Sequence, residues 1–171
     1  MLKTVLSLRQ KLLLRLFSSD PHIQKNFYLS GGTALAEYYL HHRYSEDLDF
    51  FTEKEVDPLS IQIFLKSISQ KAGIKKIDFQ QSFNRNLVYL HFDKEIVKTE
   101  FTYYPFTQLE QPIKADGLKI DSLLDIAVNK TFTIYQKPRS RDFIDLYLII
   151  KEKNWNFGDL RKQARAKFDT H

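Results

Sequence analysis

Apolar residues along the chain recur at intervals that distinguish helices from strands. In the first twenty residues, leucines recur at helical spacing between the basic residues Lys3, Arg9, Lys11 and Arg15. This pattern predicts an amphipathic helix that ends before the turn-forming residues that begin at Ser18.

Strands and helices are mixed through the next hundred residues. The pattern predicts strands over 26–30, 47–52, 75–80, 87–92 and 96–103, and helices over 33–41 and 59–72. Gly73 stands where a C-terminal glycine cap of the second helix belongs. Asp93 to Glu95 is short enough to join the last two strands as an antiparallel hairpin.

Helical spacing dominates beyond residue 120. We predict helices over 121–135, 141–151 and 160–168. Mixed strands and helices followed by helices alone favour an α+β fold: a mixed or antiparallel sheet flanked by helices, with a C-terminal helical portion. We divide the chain into a core with the N-terminal helix, 1–115, and a helical portion packed on it, 116–171. Because the chain ends soon after a basic helix, we expect it to be a truncated form of a longer protein.

Composition excludes several classes of protein. The 171 residues, 43% of them hydrophobic, suffice for one domain with a buried core. The absence of cysteine excludes a disulfide scaffold, a thiolate zinc site and a cysteine nucleophile.

No apolar run approaches the ~20 residues of a membrane-spanning helix, and the N-terminus lacks the features of a signal peptide. We therefore expect a cytoplasmic protein without a membrane partner. The net charge of +5 permits a polyanionic partner without requiring one.

Two aspartates on one predicted strand are the first candidates for chemistry. Asp47 and Asp49 are two residues apart, so their side chains point to the same face, while Leu48 and Phe50 face the core. Adjacent carboxylates repel each other, and a cation between them relieves the repulsion. Oxygen ligands of this kind suit Mg²⁺. The alternative is a pair of solvated residues at the start of a strand.

A third carboxylate has a similar setting. Glu100 shares one face of its predicted strand with Lys98 and Thr102. If this strand lies beside that of Asp47 and Asp49, three carboxylates converge, as in sites where two metal ions assist phosphoryl transfer.

A pair of glycines precedes the first helix after a strand. The sequence Ser30-Gly31-Gly32-Thr33 fits a strand, a tight turn and a helix start, where free backbone N–H groups can bind phosphate. Thr33 would cap the helix or contact a phosphate oxygen. An ordinary turn with a threonine cap is the alternative, and a P-loop is excluded because its lysine is missing.

Lys130 lies on the apolar stripe of its helix, where an ammonium group needs a carboxylate, a bound anion or a route to solvent. Asp142 and Asp145 share a face of the next helix, and either could hold Lys130. The basic residues from Lys137 to Arg141 could receive a triphosphate or a nucleic-acid backbone; a solvated loop is the favoured alternative for Lys137 and Arg139. We interpret His41 and His42 as a solvated helix end.

Two segments resemble a known family. SGGTALAEYYLHHRYSEDLDFF resembles the signature of the AbiEii/AbiGii toxin family of nucleotidyltransferases, within the DNA polymerase β-like superfamily. DIAVNKTFTIYQKPRSRDFIDLYLI resembles the C-terminal motifs of the same family. The resemblance runs from about residue 27 to residue 150, with the two segments in the expected order.

The resemblance implies a nucleotidyltransferase-type sheet and roles for individual residues. Metal binding would fall to Asp47, Asp49 and Glu100, and catalysis to these three with Lys130. Nucleotide binding would involve Gly31, Gly32, Thr33, Arg43, Ser45, Lys130, Asp142 and Asp145. Two departures bear on this assignment: the turn is Gly-Gly-Thr where the superfamily favours Gly-Ser, and the third carboxylate is Glu rather than Asp.

The implied reaction moves a nucleoside monophosphate from a nucleoside triphosphate to an acceptor and releases pyrophosphate. The implied cofactor is Mg²⁺, with two ions when the triphosphate is bound and Mn²⁺ as a substitute. We expect RNA or tRNA as acceptor, the toxin role of a bacterial toxin–antitoxin or abortive-infection system, a cognate antitoxin as partner, and a monomer. The alternatives are an inactive nucleic-acid-binding module of the same fold, or transfer to a protein or small molecule.

Overall fold

The computed structural model describes residues 4–168 and contains seven strands in one mixed sheet. The strands are β1 (Tyr28–Ser30), β2 (Leu48–Thr52), β3 (Lys76–Ser82), β4 (Arg85–His91), β5 (Ile96–Tyr103), β6 (Ile113–Ala115) and β7 (Leu118–Ile120). Their order across the sheet is β3-β4-β5-β2-β1-β7-β6. Two neighbouring pairs, β2–β5 and β1–β7, are parallel, and the remaining pairs are antiparallel. The expected α+β class with a mixed sheet and flanking helices is confirmed.

Seven α-helices accompany the sheet in the described part of the chain. They are α1 (Leu8–Phe17), α2 (Pro21–Asn26), α3 (Gly31–Leu35), α4 (Pro58–Ala72), α5 (Leu123–Gln136), α6 (Ser140–Lys153) and α7 (Phe157–Phe168). A π-helical turn over Ala36–Leu40 extends α3 and ends at His41, whose φ is 49°. None of these helices combines the length and the apolar character needed to cross a bilayer.

One part of the core lies on the face of the sheet that packs against α1 and α4, where alternate residues of the central strands are fully buried. Phe50 of β2 stacks on Phe101 of β5 at 5.5 Å between ring centroids, and Phe17 of α1 meets Phe50 edge-on at 5.3 Å. Because strand side chains alternate, burying this face directs Asp49 and Glu100 to the opposite face. The alternation of apolar residues in β2 and β5 therefore determines which face of the sheet carries the carboxylates.

Most predicted elements are present with small shifts of their ends. Gly73 caps α4 with a left-handed φ of 74°, as expected, and β4 and β5 form the expected antiparallel pair. The predicted helix over 33–41 starts two residues earlier, at Gly31, and turns π-helical at Ala36. Helix α2 and the β6–β7 hairpin, whose strands have only three residues each, were not predicted from the sequence.

The proposed division at residues 115 and 116 falls inside the β6–β7 hairpin. Both of its strands belong to the common sheet, and β7 pairs with β1 through Leu29 and Ile120. The helical portion is therefore joined to the core by sheet hydrogen bonds. Its last residues, 169–171, lie outside the described part of the chain.

Candidate active site

A pocket of about 410 Å³ opens between the polar face of the sheet and helices α5 and α6. Its lining includes most of the residues singled out in the sequence: Gly31, Gly32, Arg43, Ser45, Asp47, Asp49, Glu100, Lys130 and Asp142. The fold therefore brings residues of both family-like segments to one cavity.

Three carboxylates lie on the sheet side of this pocket. Asp49 of β2 is the cross-strand neighbour of Ser30 on β1 and of Glu100 on β5. Directly opposed residues of neighbouring strands have side chains on the same face, roughly 5 Å apart at Cβ. Asp47 precedes β2 by one residue and lines the same pocket. The expected adjacency of the two strands is thus present.

The three carboxylates differ in their electrostatic surroundings. Burial, together with repulsion from Glu100 and Asp47, raises the pKa of Asp49 to about 7. Asp47 pairs with Lys98 at 3.0 Å. Glu100 accepts two hydrogen bonds of 2.6 Å from Arg85 and another from Thr102. Burial raises the pKa of Glu100, but these hydrogen bonds outweigh it and hold that pKa below its usual value.

The donor set fits a hard divalent cation held by two carboxylates. Asp49 has no ion-pair partner within residues 4–168, and burial, the main cause of its raised pKa, is not offset by a paired cation. No group of three or more His, Cys, Asp or Glu side chains in this range is preassembled around a metal position. Mg²⁺ typically takes one or two protein carboxylates and completes its shell with phosphates and water. Asp47 and Asp49 meet this requirement, while Glu100 is engaged by Arg85.

The glycine turn sits directly against these residues. Gly31 has a φ of 70°, and a Cβ placed on it would lie 2.5 Å from Oδ2 of Asp49. A Cβ on Gly32 would lie 2.6 Å from Nη2 of Arg43 and 3.0 Å from Oγ of Ser45. Gly31 therefore needs glycine, because its left-handed φ and the contact with Asp49 both oppose a side chain, whereas a side chain at Gly32 would require the Arg43 guanidinium to move.

The segment between α3 and β2 is anchored from outside the pocket. The buried side chain of Gln10 donates hydrogen bonds to the carbonyl oxygens of Ser45 (2.8 Å) and Glu46 (3.1 Å). The hydroxyl of Thr33 donates to the carbonyl oxygen of Asp47, and Thr33 is fully buried outside the pocket lining. Thr33 thus holds the backbone of a candidate metal ligand.

Asp145 organises the cationic side of the pocket although it does not line it. This fully buried carboxylate binds Arg43 through Nε (2.8 Å) and Nη2 (2.7 Å), Lys130 through Nζ (2.7 Å) and His42 through Nε2 (2.7 Å). Burial opposes its ionisation, but the hydrogen bonds from Arg43 and Lys130 keep the pKa of Asp145 well below its usual value. A fixed negative charge therefore orients two cations that face the pocket.

Asp142 has a double role at the start of α6. It accepts a hydrogen bond of 3.0 Å from the backbone N–H of Arg139 and pairs with Lys130 at 3.1 Å. Burial raises the pKa of Asp142, but the charge of Lys130 and the Arg139 N–H hold it below its usual value. Lys130 is 9% exposed at its side chain and is fixed between two carboxylates.

The other end of the pocket is aromatic. Phe51, Tyr104 and Phe132 line it, with Phe51 and Tyr104 stacked at 4.8 Å. Asn129 lies beside them, accepts a hydrogen bond of 3.3 Å from the Tyr104 hydroxyl and donates one of 3.4 Å to Asp121. This end offers flat apolar surfaces and one oriented amide, which suits a planar heterocycle.

Arg139 and Arg141, from the basic segment that could receive a triphosphate, line the pocket, although a solvated loop was the favoured interpretation for Arg139. Two residues were not predicted from the sequence: Arg85 also lines the pocket, and His42 contacts Asp145 instead of forming a solvated helix end. Arg85 could have been found only by pairing β4 with β5, since its partner Glu100 is fifteen residues away. His42 and Asp145 are 103 residues apart, and no local pattern links them.

The chain matches a known protein family and an individual relative. Residues 12–171 match the family described as nucleotidyl transferase AbiEii toxin, Type IV TA system. An uncharacterized protein of Aquifex aeolicus (strain VF5) is 33% identical over 150 residues, which are 85% of this chain and 68% of the relative.

Solved structures share the fold. JHP933 from Helicobacter pylori superposes with a TM-score of 0.64 at 21% identity, covering 94% of this chain and 75% of that one. The polyadenylate synthase of Megavirus superposes with a TM-score of 0.56 at 16% identity, over 82% of this chain and 31% of that chain.

Proposed function

Because this chain belongs to the AbiEii family of toxin–antitoxin systems, it is a nucleotidyltransferase, and we propose that it transfers a nucleoside monophosphate to RNA. We further propose Mg²⁺ as cofactor and tRNA as the first acceptor to test. The proposal rests on one observation: Asp47, Asp49, the glycine turn and Lys130 all line the same pocket.

The donor triphosphate fits the polar half of the pocket. The Gly31–Gly32 turn presents backbone N–H groups, and Arg43 and Lys130 supply positive charge held in place by Asp145. Bound between Asp47 and Asp49, Mg²⁺ would offset the charge of the phosphate oxygens. The aromatic half, with Phe51 and Tyr104, would take the base.

The proposed reaction forms a bond between an acceptor oxygen and the α-phosphorus. The bond from the α-phosphorus to the oxygen that bridges to the β-phosphate breaks, and pyrophosphate leaves with that oxygen. The proton of the acceptor hydroxyl passes through water to the bulk solvent, because both carboxylate oxygens of Glu100 already accept hydrogen bonds from Arg85. Preformed positive charge from Arg43 and Lys130 stabilises the phosphates as negative charge shifts to the leaving group.

RNA is favoured as acceptor by the charge around the pocket. Arg85, Arg139 and Arg141 line its wall, and the chain carries a net charge of +5. A toxin–antitoxin role follows from the family, and a cognate antitoxin is the partner we propose. We also propose that the protein acts as a monomer in the cytoplasm.

The test is nucleotide transfer from each of four α-³²P-labelled triphosphates with Mg²⁺. Total bacterial tRNA, other RNA and a protein fraction serve as separate acceptors. We expect label on tRNA with the wild-type protein and none with Asp47→Asn or Asp49→Asn. The exposed Asp93→Asn, whose carboxylate pairs at the surface with Lys75, is the control and should label tRNA normally. Label on the protein fraction alone would contradict the proposed acceptor.

A further inference from the structure

Glu100 differs from the other two carboxylates on the sheet because both of its oxygens are occupied. Arg85 donates from Nε to Oε1 and from Nη2 to Oε2, at 2.6 Å each. The hydroxyl of Thr102 donates a further hydrogen bond to Oε1. Oε1 therefore accepts from as many donors as it has lone pairs, and one lone pair remains on Oε2, beside the guanidinium. Little of this carboxylate is left for a metal ion.

The pairing of β4 with β5 holds this ion pair in place. Arg85 is the cross-strand neighbour of Thr102, so Arg85 and Glu100 are diagonal neighbours on one face of the sheet. The side chain of Glu100 is 6% exposed, and that of Arg85 is 54% exposed. A bidentate arginine–carboxylate pair is stronger than neutral hydrogen bonds and has a fixed geometry. Removing the arginine would leave a buried charge without its partner, so displacement of Arg85 by a metal ion is opposed.

Two cations already balance most of the negative charge on the sheet side of the pocket. Lys98 pairs with Asp47 at 3.0 Å and Arg85 pairs with Glu100, whereas Asp49 has no ion-pair partner within residues 4–168. Three carboxylates and two cations leave one net negative charge, located at Asp49. A single divalent cation reverses that charge. A second one would stand beside both the first ion and the Arg85 guanidinium, where like charges repel.

We propose that this site binds one divalent cation, between Asp47 and Asp49, and that the guanidinium of Arg85 supplies the positive charge that a second ion would supply beside Glu100. Arg85 lines the pocket and uses Nε and Nη2 for Glu100, which leaves Nη1 to donate to an oxygen of the triphosphate. This inference rests on the proposed function for the metal-bound triphosphate. It departs from the two ions that the family resemblance implies.

The test counts bound ions in the full chain with Mn²⁺, a paramagnetic substitute for Mg²⁺. The α,β-methylene analogues of ATP, CTP, GTP and UTP are used in turn, because they keep three phosphates but lack the oxygen bridge that would break. Electron paramagnetic resonance measures the number of bound ions and detects their proximity. Two ions ~3.5–4 Å apart, as in two-metal sites, are magnetically coupled, whereas a single ion gives the spectrum of isolated Mn²⁺. We expect one uncoupled ion for each wild-type chain.

Variants of Arg85 test its role directly. Arg85→Met frees Glu100 and removes the opposing charge, so we expect a second, coupled ion that binds about ten-fold or more tightly than any second ion in the wild type. Arg85→Lys keeps a cation beside Glu100 and should still bind one ion. Arg85→Met/Glu100→Gln lacks the freed carboxylate and should also bind one. Arg139→Met is the matched control, because Arg139 lines the pocket and is 61% exposed, and its loss removes the same charge without freeing Glu100.

The possible outcomes separate this inference from the proposed function. Two coupled ions in the wild type would overturn the inference and leave the proposed function intact. A single ion in Arg85→Met, or a second ion in Arg139→Met, would overturn it as well. If the wild type binds no Mn²⁺ with any of the analogues, the metal of the proposed function is refuted and the inference falls with it. The wild-type spectrum is decisive even if a variant fails to fold, which thermal unfolding with Mn²⁺ checks.

Discussion

At the scale of single residues, Asp145 determines the geometry of the positive charges in the pocket. Four donor atoms from Arg43, Lys130 and His42 surround its carboxylate, which is fully buried. Three of these donors belong to side chains that line the pocket. The third side chain, His42, contacts Oδ1 of Asp145, which also accepts from Arg43 Nε, but does not line the pocket and so acts as a positioning residue.

His42→Ala should lower both stability and transfer activity to a limited extent. The change removes one hydrogen bond to a buried charge, a loss of ~1.5–3 kcal/mol, while Arg43 and Lys130 stay paired. We expect a smaller loss of activity than for Asp145→Asn, which removes the charge that holds Arg43 and leaves Lys130 paired with Asp142 alone. Urea unfolding and steady-state transfer rates measure the two effects, with His22→Ala, at the exposed His22–Asn26 contact, as control. Equal losses for His42→Ala and Asp145→Asn would argue against this order of importance.

Asp121 should give the protein a characteristic dependence of stability on pH. Burial and the nearby Asp125 raise the pKa of Asp121 to about 6, despite hydrogen bonds from Ser30 and Gln108. The folded state therefore keeps this proton to a higher pH than the unfolded state, and the free energy of unfolding falls as pH rises from about 4 to about 6. Asp121→Asn should lack this contribution. Urea titrations at pH 4.5, 5.5 and 6.5 measure it, and identical slopes for the two proteins would contradict the assignment.

At the scale of secondary-structure elements, the site depends on where the strand–turn–helix unit of β1 and α3 meets β2. The two strands pair antiparallel with Ser30 opposite Asp49, so the turn after β1 faces the carboxylate. This arrangement could be expected in part, because the period of β2 places Asp47 and Asp49 together and the glycines mark the turn. The π-helical turn over Ala36–Leu40 could not be predicted from the sequence, because no local pattern distinguishes it from an α-helix.

Gly31→Ala should abolish transfer activity while the protein remains folded. A left-handed backbone costs ~1–2 kcal/mol for alanine, and the added Cβ would also displace the carboxylate of Asp49, 2.5 Å away. Gly73→Ala is a matched control: its φ is 74° against 70° for Gly31, but its Cβ meets only a guanidinium nitrogen of Arg9 at 3.6 Å. Equal stability losses with activity lost only in Gly31→Ala would support the account. Normal activity in Gly31→Ala would refute it.

Helix α7 is held to the rest of the chain by a buried ion pair. Lys167 contacts Asp125 at 2.6 Å, with side-chain exposures of 2% and 0%. Lys167→Met should destabilise the protein by ~3 kcal/mol, because it leaves a buried carboxylate with fewer partners. Lys162→Met, in an exposed pair with Asp159, should change stability by less than ~0.5 kcal/mol. Thermal unfolding of both variants measures the difference, and similar midpoints would contradict a structural role for Lys167.

At the scale of the whole molecule, the contacts that the sequence did not predict are mainly those between residues far apart along the chain. The α+β class and the two family-like segments could be predicted because periodicity and motifs are local. The partners of Arg85 and His42 could not, since they depend on the pairing of β4 with β5 and on the packing of α6 against residues 42–43. The β6–β7 hairpin was missed because three-residue strands carry too few alternations to be recognised.

The central claim is that Asp47 and Asp49 bind a nucleoside triphosphate through a divalent cation. Calorimetric titration of each triphosphate into the protein, with Mg²⁺ and with EDTA, tests it without knowledge of the acceptor. The account predicts that at least one triphosphate binds in Mg²⁺, and that binding is lost in EDTA and in the Asp47→Asn/Asp49→Asn double variant. Asp93→Asn should bind normally. Binding that is equally strong without Mg²⁺, or unchanged in the double variant, would contradict the account.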